Sequence, residues 1–488
     1  MSERQPASDR VGAIETNGIE PIGDDERHGA PLELFWIWFA SNIGVLGIVY
    51  GAILASSGLN LWQSLLVAVV GTTVTFALVG VLSLAGVRGG APMLTLSRAA
   101  FGTRGNLAPT LISWISLVGW ETVLTVTAAY ALLGLFNLAG LPANNFWTVV
   151  SLVVVALLVV GLGLLGHATL VWVQRAATWL FGALTLVIAV FLITKTDWHA
   201  VFAAPPGPWD TGVLASLSLI AAGSGIGWIN SGADYTRYLP RRSNSGAIVW
   251  WTVFGGSLPL VALILVGVLL SSHISNLSGA ANPIQAIGTA LPAWMAVPYL
   301  LTSIGGLVVA ADLDIYSSGL NLLAIGIKAQ RYKTVFIDGV LMVAGAIYVM
   351  LYSKNFLGTF QNFLGLLAAG LTTWSAVFLV DMLMRRAYDP ASLIETGPRS
   401  AYYYRNGVNL AGLGAWLIGF IVALLFTSSP FPIYTSPLAQ GIFANSNLGY
   451  VVGFVVSAVL YAVLTRTGLG AGSQPARSSV TMESGTAR

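Results

Sequence analysis

Twelve apolar runs, each about long enough to cross a bilayer as a helix, constrain this 488-residue chain more than any other feature. A helix rises 1.5 Å per residue, so about 20 apolar residues cover a hydrocarbon layer of ~30 Å. The runs are 34–56, 60–84, 107–138, 145–165, 168–194, 211–230, 246–270, 293–327, 334–352, 359–384, 406–428 and 448–466. A soluble fold would have to coat its outside with charge. Here 8% of residues are charged and 56% hydrophobic, against roughly 25% charged in soluble domains. The expected class is an all-α polytopic membrane protein. Its tails, 1–30 and 467–488, are polar or Gly/Ser-rich and read as disordered.

Basic residues set the expected orientation. With the N-terminus inside, the inner connections hold fourteen Lys and Arg and the tails six, whereas the outer loops hold only Lys195 and Lys354. This asymmetry predicts an even span count with both termini cytoplasmic. The net charge of +3 does not suggest nucleic acid, because the basic residues sit in short loops and form no patch with interleaved aromatics. There are no cysteines, which excludes disulfides and thiolate chemistry. His28, His167, His199 and His273 are scattered along the chain, so neither a metal cluster nor a membrane-embedded hydrolytic enzyme is expected.

Two runs look interrupted: the first at Ser41-Asn42-Ile43-Gly44 with Gly47, and the sixth at Gly223-Ser224-Gly225-Ile226-Gly227. Either cluster alone could mark close helix packing. Matching positions five spans apart point instead to a transporter site built from inverted repeats. Broken backbone at that depth survives only where something satisfies its N–H and C=O groups. The expected layout is two five-span repeats, 31–194 and 195–384, followed by two extra helices in 385–466.

Three carboxylates lie in mid-run: Glu121 in the third, Asp312 and Asp314 in the eighth. Burying charge at that depth costs at least ~2.5–3.5 kcal/mol, so such groups usually face cavities and handle ions or protons. Asp314, Ser317 or Ser318, and Asn321 fall at i, i+3/i+4 and i+7, on one helical face, with Asp312 and Tyr316 on an adjacent one. Asp234, Asp338 and Asp381 read as interfacial partners of Arg237, Lys333 and Arg385. Trp36, Trp38, Trp62, Trp250 and Trp251 read as an interfacial belt. Trp120 and Trp228 stand apart, because each adjoins a mid-run feature and an indole face can stack on a flat ring.

Four segments, Glu26-Arg27-His28-Gly29-Ala30-Pro31, Trp38-Phe39-Ala40-Ser41-Asn42-Ile43-Gly44, Arg98-Ala99-Ala100-Phe101-Gly102-Thr103-Arg104-Gly105 and Ala233-Asp234-Tyr235-Thr236-Arg237-Tyr238, together resemble the nucleobase–cation symporter family, nearest its purine–cytosine permeases. The resemblance runs from about residue 26 to residue 465. It implies a leucine-transporter-type fold of twelve helices, spans one and six discontinuous, and alternating access without a cofactor. It places the family's stacking tryptophan at Trp120 and its ring-binding asparagine at Asn321. Its second stacking tryptophan falls on Gly225, three residues before Trp228, and the adjoining backbone contacts on Ser224 and Gly227. A glutamine contact of the hydantoin carrier falls on Leu124, and the thin gate on Asn362, Phe363 and Leu364. The family's sodium ligands fall on Ala40 and Ile43 and, in span eight, on Asp312, Ile315 and Tyr316; the loss of both hydroxyls there favours a proton over sodium.

The expected function is uptake of a nucleobase, cytosine or a purine such as adenine or hypoxanthine, across the plasma membrane by symport, the chain acting as a monomer in the lipid bilayer. Trp120 stacks, Asn321, Asp314 and Glu121 read the ring edge, and backbone of Gly44 and 224–227 with Trp228 completes the site. Asp312 or Glu121 takes the coupling proton; the alternative is sodium at Ala40, Ile43 and Asp312. A channel on the same fold, or another flat heterocycle related to vitamin B6, thiamine or a ureide, stays open.

Overall fold

A computed structural model describes residues 9–469 except 275, 281, 354–355, 386, 428–435, 437, 445 and 447, and only the backbone over 356–364. The principal helices are α1 (Glu33–Ala40), α2 (Leu46–Ser56), α3 (Leu61–Gly89), α4 (Leu107–Leu138), α5 (Asn145–Leu164), α6 (His167–Ile193), α7 (Ala215–Ala222), α8 (Gly225–Trp228), α9 (Gly232–Thr236), α10 (Ser245–Leu270), α11 (Ala296–Ile325), α12 (Arg331–Leu351), α13 (Phe356–Met384), α14 (Leu410–Leu425) and α15 (Gly449–Arg466). Among the described residues, ten helical stretches are long and apolar enough to cross a membrane, and α2 and α14 are shorter apolar helices. Their outward faces carry large bare side chains such as Val74, Leu157, Leu186 and Val340. Such surface is stable against lipid and would aggregate in water.

The packing pairs the two halves of the chain. α3 lies along α10, α4 along α11, and α5 along α12. A two-fold relation between repeats produces this kind of cross-pairing. α2 meets α10 at bare backbone: a Cβ on Gly51 would lie 1.9 Å from the Ile264 carbonyl oxygen, and one on Gly267 would lie 2.0 Å from that of Ile48. Gly47 and Gly51, one turn apart, let these helices touch where any side chain would hold them apart.

The N-terminal segment departs from the expectation of disorder, since residues 9–30 pack against the bundle. The start of α6 explains this. Its N-cap is Gly166, which has no side chain to satisfy the first helical amides. Asp9 and Glu15 supply the missing acceptors, taking the Ala168 N–H at 2.7 Å and the His167 N–H at 3.1 Å, and a negative charge is favourable at that end of a helix. Glu15 is fully buried and ion-paired to Arg237 at 2.8 Å and to Arg331 at 3.6 Å. It also accepts hydrogen bonds from Tyr238 and Tyr316. Composition makes the segment look unstructured because its acidic groups find their partners far away in sequence.

Two histidines are gathered here as well. His28 and His167, 139 positions apart in the chain, both contact Asp9, so scattering along the sequence does not survive folding. Burial by itself would raise the Asp9 carboxyl. The His167 and His28 rings beside it and the hydrogen bond donated by the Ala168 amide outweigh it and hold the group well below the usual carboxylate range. For His28, burial favours the neutral ring, but the hydrogen bond to Asp9 and its charge carry the net shift upward.

Candidate functional site

Helix α1 stops at Ala40 because two side chains turn back on it. The Ser41 hydroxyl and the Asn42 amide both donate to the Trp38 carbonyl, at 3.2 and 2.8 Å, competing with the helical ladder. The helix resumes only at Leu46. In the sixth run, α7 ends at Ala222, and Ser224 takes φ −123°, ψ −118°, far from helical values. Thr75 of α3, which the sequence did not single out, fills the break. Its hydroxyl accepts the Gly225 N–H at 3.2 Å and lies 3.2 Å from the Ser224 hydroxyl. A Cβ on Gly225 would strike Thr75 at 2.4 Å. Ser224 and Gly225 are therefore satisfied within the protein by Thr75.

Both breaks face one cavity of about 40 Å³, counted as the space open to the centre of a water molecule. Ser41, Asn42 and Gly44 border it on one side and Gly223 and Trp228 on another; Trp120 and Leu124 of α4, Gly306, Leu307 and Ala310 of α11, Leu46, Gly47 and Tyr50 of α2 and Leu260 of α10 also line it. By that measure it has room for about three waters. A flat heterocycle has more heavy atoms than that, so one enters only when the lining helices part. Trp120 and Trp228 thus share the cavity, the tryptophan displaced by three residues from its expected position included. Gly227 lies against Trp120, where a Cβ would be 3.0 Å from the indole nitrogen. Trp228 is held edge-on by Trp38, ring centroids 5.5 Å apart. Trp38 is completely buried and belongs to this packing, not to an interfacial belt. A larger cavity of about 450 Å³ between the ends of α4 and α11 is lined by Tyr130, Gly134, Asn282 and Tyr299 and has no charged side chain and no helix break in its wall.

The other expected ring contacts lie outside this cavity. On α11, Leu307, Ala310, Asp314, Ser317 and Asn321 run down one face, so Asn321 is eleven residues, or about 16 Å, beyond Ala310. Its amide donates to the Ser113 hydroxyl at 2.7 Å, and Asn230 donates to the same oxygen at 2.7 Å. Asp314 is one turn beyond Ala310; it is fully buried, and neither carboxyl oxygen has a hydrogen-bond partner among the described residues. Glu121 points the other way. It lies on the face of α4 that meets α12, between Trp114, which donates to Asp338 at 2.7 Å, and Thr125, which contacts Met342. Asp338 takes hydrogen bonds from Trp114 and Ser318 and has no ion pair with Lys333. Asp234 accepts the Met93 N–H at 2.7 Å, while Arg237 pairs with Glu15 instead. Only Asp381 forms its expected pair, with Arg385 at 2.9 Å.

The proposed ion ligands are not brought together either. Ala40 packs on Ala177 and Val309, and Gln174 of α6 donates to the Val309 carbonyl at 2.7 Å. Ile43 borders a different, smaller cavity with Thr302 and Ser303. Tyr316 turns away, its hydroxyl 3.0 Å from Arg237. Asp312 is buried within the field of Arg331. Ala40, Ile43, Asp312 and Tyr316 therefore form no common oxygen shell. The side chains of Asn362, Phe363 and Leu364 lie outside the described residues.

Comparison with known proteins agrees with this architecture. Residues 21–453 match the family model described as permease for cytosine/purines, uracil, thiamine, allantoin. The chain is 26% identical to the putative purine-cytosine permease YxlA of Bacillus subtilis over 467 residues, covering 93% of this chain and 96% of that protein. It is 24% identical to the hydantoin permease of Microbacterium maritypicum over 452 residues, covering 82% of each. Among solved structures, Mhp1, a nucleobase-cation-symport-1 family transporter, in a closed conformation with bromovinylhydantoin bound, superposes with a TM-score of 0.74 at 19% identity, covering 93% of this chain and 96% of Mhp1. These relatives are permeases and not enzymes. The chain is a membrane transporter that belongs to the family of permeases for cytosine/purines, uracil, thiamine and allantoin.

Proposed function

We propose that this protein imports a nucleobase, cytosine or a purine such as adenine or hypoxanthine, in symport with a proton. It crosses the plasma membrane twelve times with both termini cytoplasmic, and its first and sixth crossings are interrupted at the substrate. The observation that carries the reading is the shared cavity: two helix breaks and two indoles, Trp120 and Trp228, converge on one buried space. Indole faces suit a flat ring, and the polar groups of the first break, between α1 and α2, suit its edge donors and acceptors. The cytoplasmic route follows the polar face of α11 past Asp314 to Ser113, Asn230 and Asn321. In alternating access, α4 and α11 part from the broken helices on one side of the site at a time.

Proton coupling is favoured over sodium because the space beside Ala40 is filled by Ala177 and Val309 and the Val309 carbonyl is already engaged by Gln174. The buried carboxyls Asp312, Asp314 and Glu121 are the proton carriers in this reading. Proton and substrate must then each bind better in the presence of the other, by the same factor.

Uptake by proteoliposomes tests both halves. Labelled cytosine, adenine, hypoxanthine, uracil and pyridoxine are offered under a pH gradient and, separately, a sodium gradient. Accumulation of a nucleobase that follows the pH gradient and ignores sodium is expected; accumulation that needs sodium and ignores pH overturns the coupling. Equilibration without accumulation identifies a facilitator. Trp120→Ala is expected to weaken nucleobase binding by about 10- to 100-fold, as stacking of ~1–3 kcal/mol per base implies. Unchanged affinity removes Trp120 from the site.

A further inference from the structure

Asp9, His28 and His167 arrive from three separate stretches of chain and meet where the N-terminal segment crosses the start of α6. His28 Nε2 lies 3.1 Å and His167 Nδ1 3.4 Å from Asp9 Oδ2, and all three atoms are within 4.8 Å of one another. The second nitrogen of each ring is already engaged. His28 Nδ1 is 2.9 Å from the Glu26 carbonyl oxygen, and His167 Nε2 is 3.2 Å from that of Tyr235. A carbonyl oxygen only accepts, so each of these nitrogens carries the hydrogen. In a neutral ring the remaining nitrogen is then a bare lone pair. Two lone pairs and a carboxylate oxygen face one another, an arrangement stable only with positive charge among them.

We propose that Asp9, His28 and His167 form a metal site, for Zn²⁺ or a divalent ion of similar chemistry, with water as the fourth ligand. Zn–N and Zn–O bonds of about 2.0–2.1 Å give tetrahedral edges of roughly 3.3–3.4 Å. Two edges of the triad have nearly that length already, and the third is no longer than 4.8 Å. Backbone carbonyls on the far nitrogens are the outer partners that fix tautomer and ring direction in histidine metal sites. Asp9 is aimed the same way, its other oxygen taking the Ala168 N–H at 2.7 Å. The Asp9 and His167 side chains are 1% and 3% exposed and that of His28 is 13%, so water and metal reach the site past His28. The ion ties the N-terminal segment to α6 and, through the Tyr235 carbonyl and the Tyr238 ring stacked on His167 at 4.4 Å, to the chain leaving α9. This assignment is independent of the substrate site.

The test uses the full-length chain without a polyhistidine tag, purified in detergent and stripped with chelator. Titration with ZnCl₂ against a chromophoric chelator is expected to show one equivalent bound at or below about micromolar concentration, weaker than structural sites with four protein ligands. Co²⁺ in place of zinc is expected to give the visible absorption of a tetrahedral N/O site. Asp9→Asn and His28→Gln are each expected to weaken binding by more than about 100-fold, beyond the 10–100-fold typical of an outer partner. Limited proteolysis is expected to cut the N-terminal segment faster in the stripped protein. An unmodified protein that takes up no equivalent of Zn²⁺ overturns the proposal. Binding that survives both substitutions overturns it too. Because the zinc and cobalt readings are made on unmodified protein, a variant that fails to fold does not blunt the test.

Discussion

Alanine at Gly51 is expected to remove most of the folded, monodisperse protein recovered from membranes. The methyl group would sit 1.9 Å from the Ile264 carbonyl oxygen and 2.8 Å from the Gly267 Cα. Both obstacles are backbone, so no side-chain rotation relieves the contact and α2 and α10 must separate. Overpacking ordinarily costs ~1–3 kcal/mol; a clash with main chain along a helix crossing belongs at the top of that range or beyond it, about 3–5 kcal/mol. Gly161 provides the control. It lies inside α5 with nothing within 4 Å of where a methyl group would be added, and Gly161→Ala is expected to be neutral or slightly stabilising through helix propensity. Thermal unfolding of the two variants, followed by size-exclusion after heating, decides the matter. Equal midpoints would mean that α2 and α10 do not meet at bare backbone.

Glu15→Ala is expected to cost a similar amount by a different route. Glu15 is fully buried between Arg237 and Arg331, and removing one partner of a buried ion pair typically costs ~3–5 kcal/mol because the other charge stays behind unpaired. Arg237 keeps its hydrogen bond to the Gly18 carbonyl, at 2.6 Å, but among the described residues it is ion-paired to no second carboxylate. Glu15→Gln retains a hydrogen-bonding group for Tyr238 and Tyr316 and is expected to fall between alanine and the unmodified protein. The local signature is hydrogen exchange: the His167 amide donates to Glu15, so its protection and that of residues 9–30 are expected to drop together. Protection unchanged at His167 in Glu15→Ala would show that the N-terminal segment does not cap α6.

Much of the helical layout is readable from local composition. Helix α4 runs over Leu107–Leu138 and α10 over Ser245–Leu270, within a residue or so of the apolar runs expected there. Helix α1 ends at Ala40, just before Ser41-Asn42-Ile43-Gly44, and α7 at Ala222, just before the Gly-rich 223–227. The site is legible only in part. Trp120 and Trp228 carry a signal because each adjoins a mid-run anomaly, whereas Thr75 and Ser113 look like ordinary hydroxyls of membrane helices and give none. Trp38 escapes a reading by position because its distance from the end of a run says nothing about which helix covers it. Asn321 is on the expected face of α11, but about three turns beyond the cavity that face lines.

Sequence by itself determined that this chain lives in lipid and which of its segments are helical, because transfer of apolar residues into hydrocarbon is a property of each segment alone. Tertiary structure alone decided which side chains meet: that Glu121 turns from the cavity toward α12, that Glu15 finds two arginines more than two hundred residues away, and that Asp9 gathers His28 and His167. Those outcomes depend on the rotation and axial offset of one helix against another, which are set by close packing at contacts such as Gly51 with Ile264 and leave no mark on the local sequence.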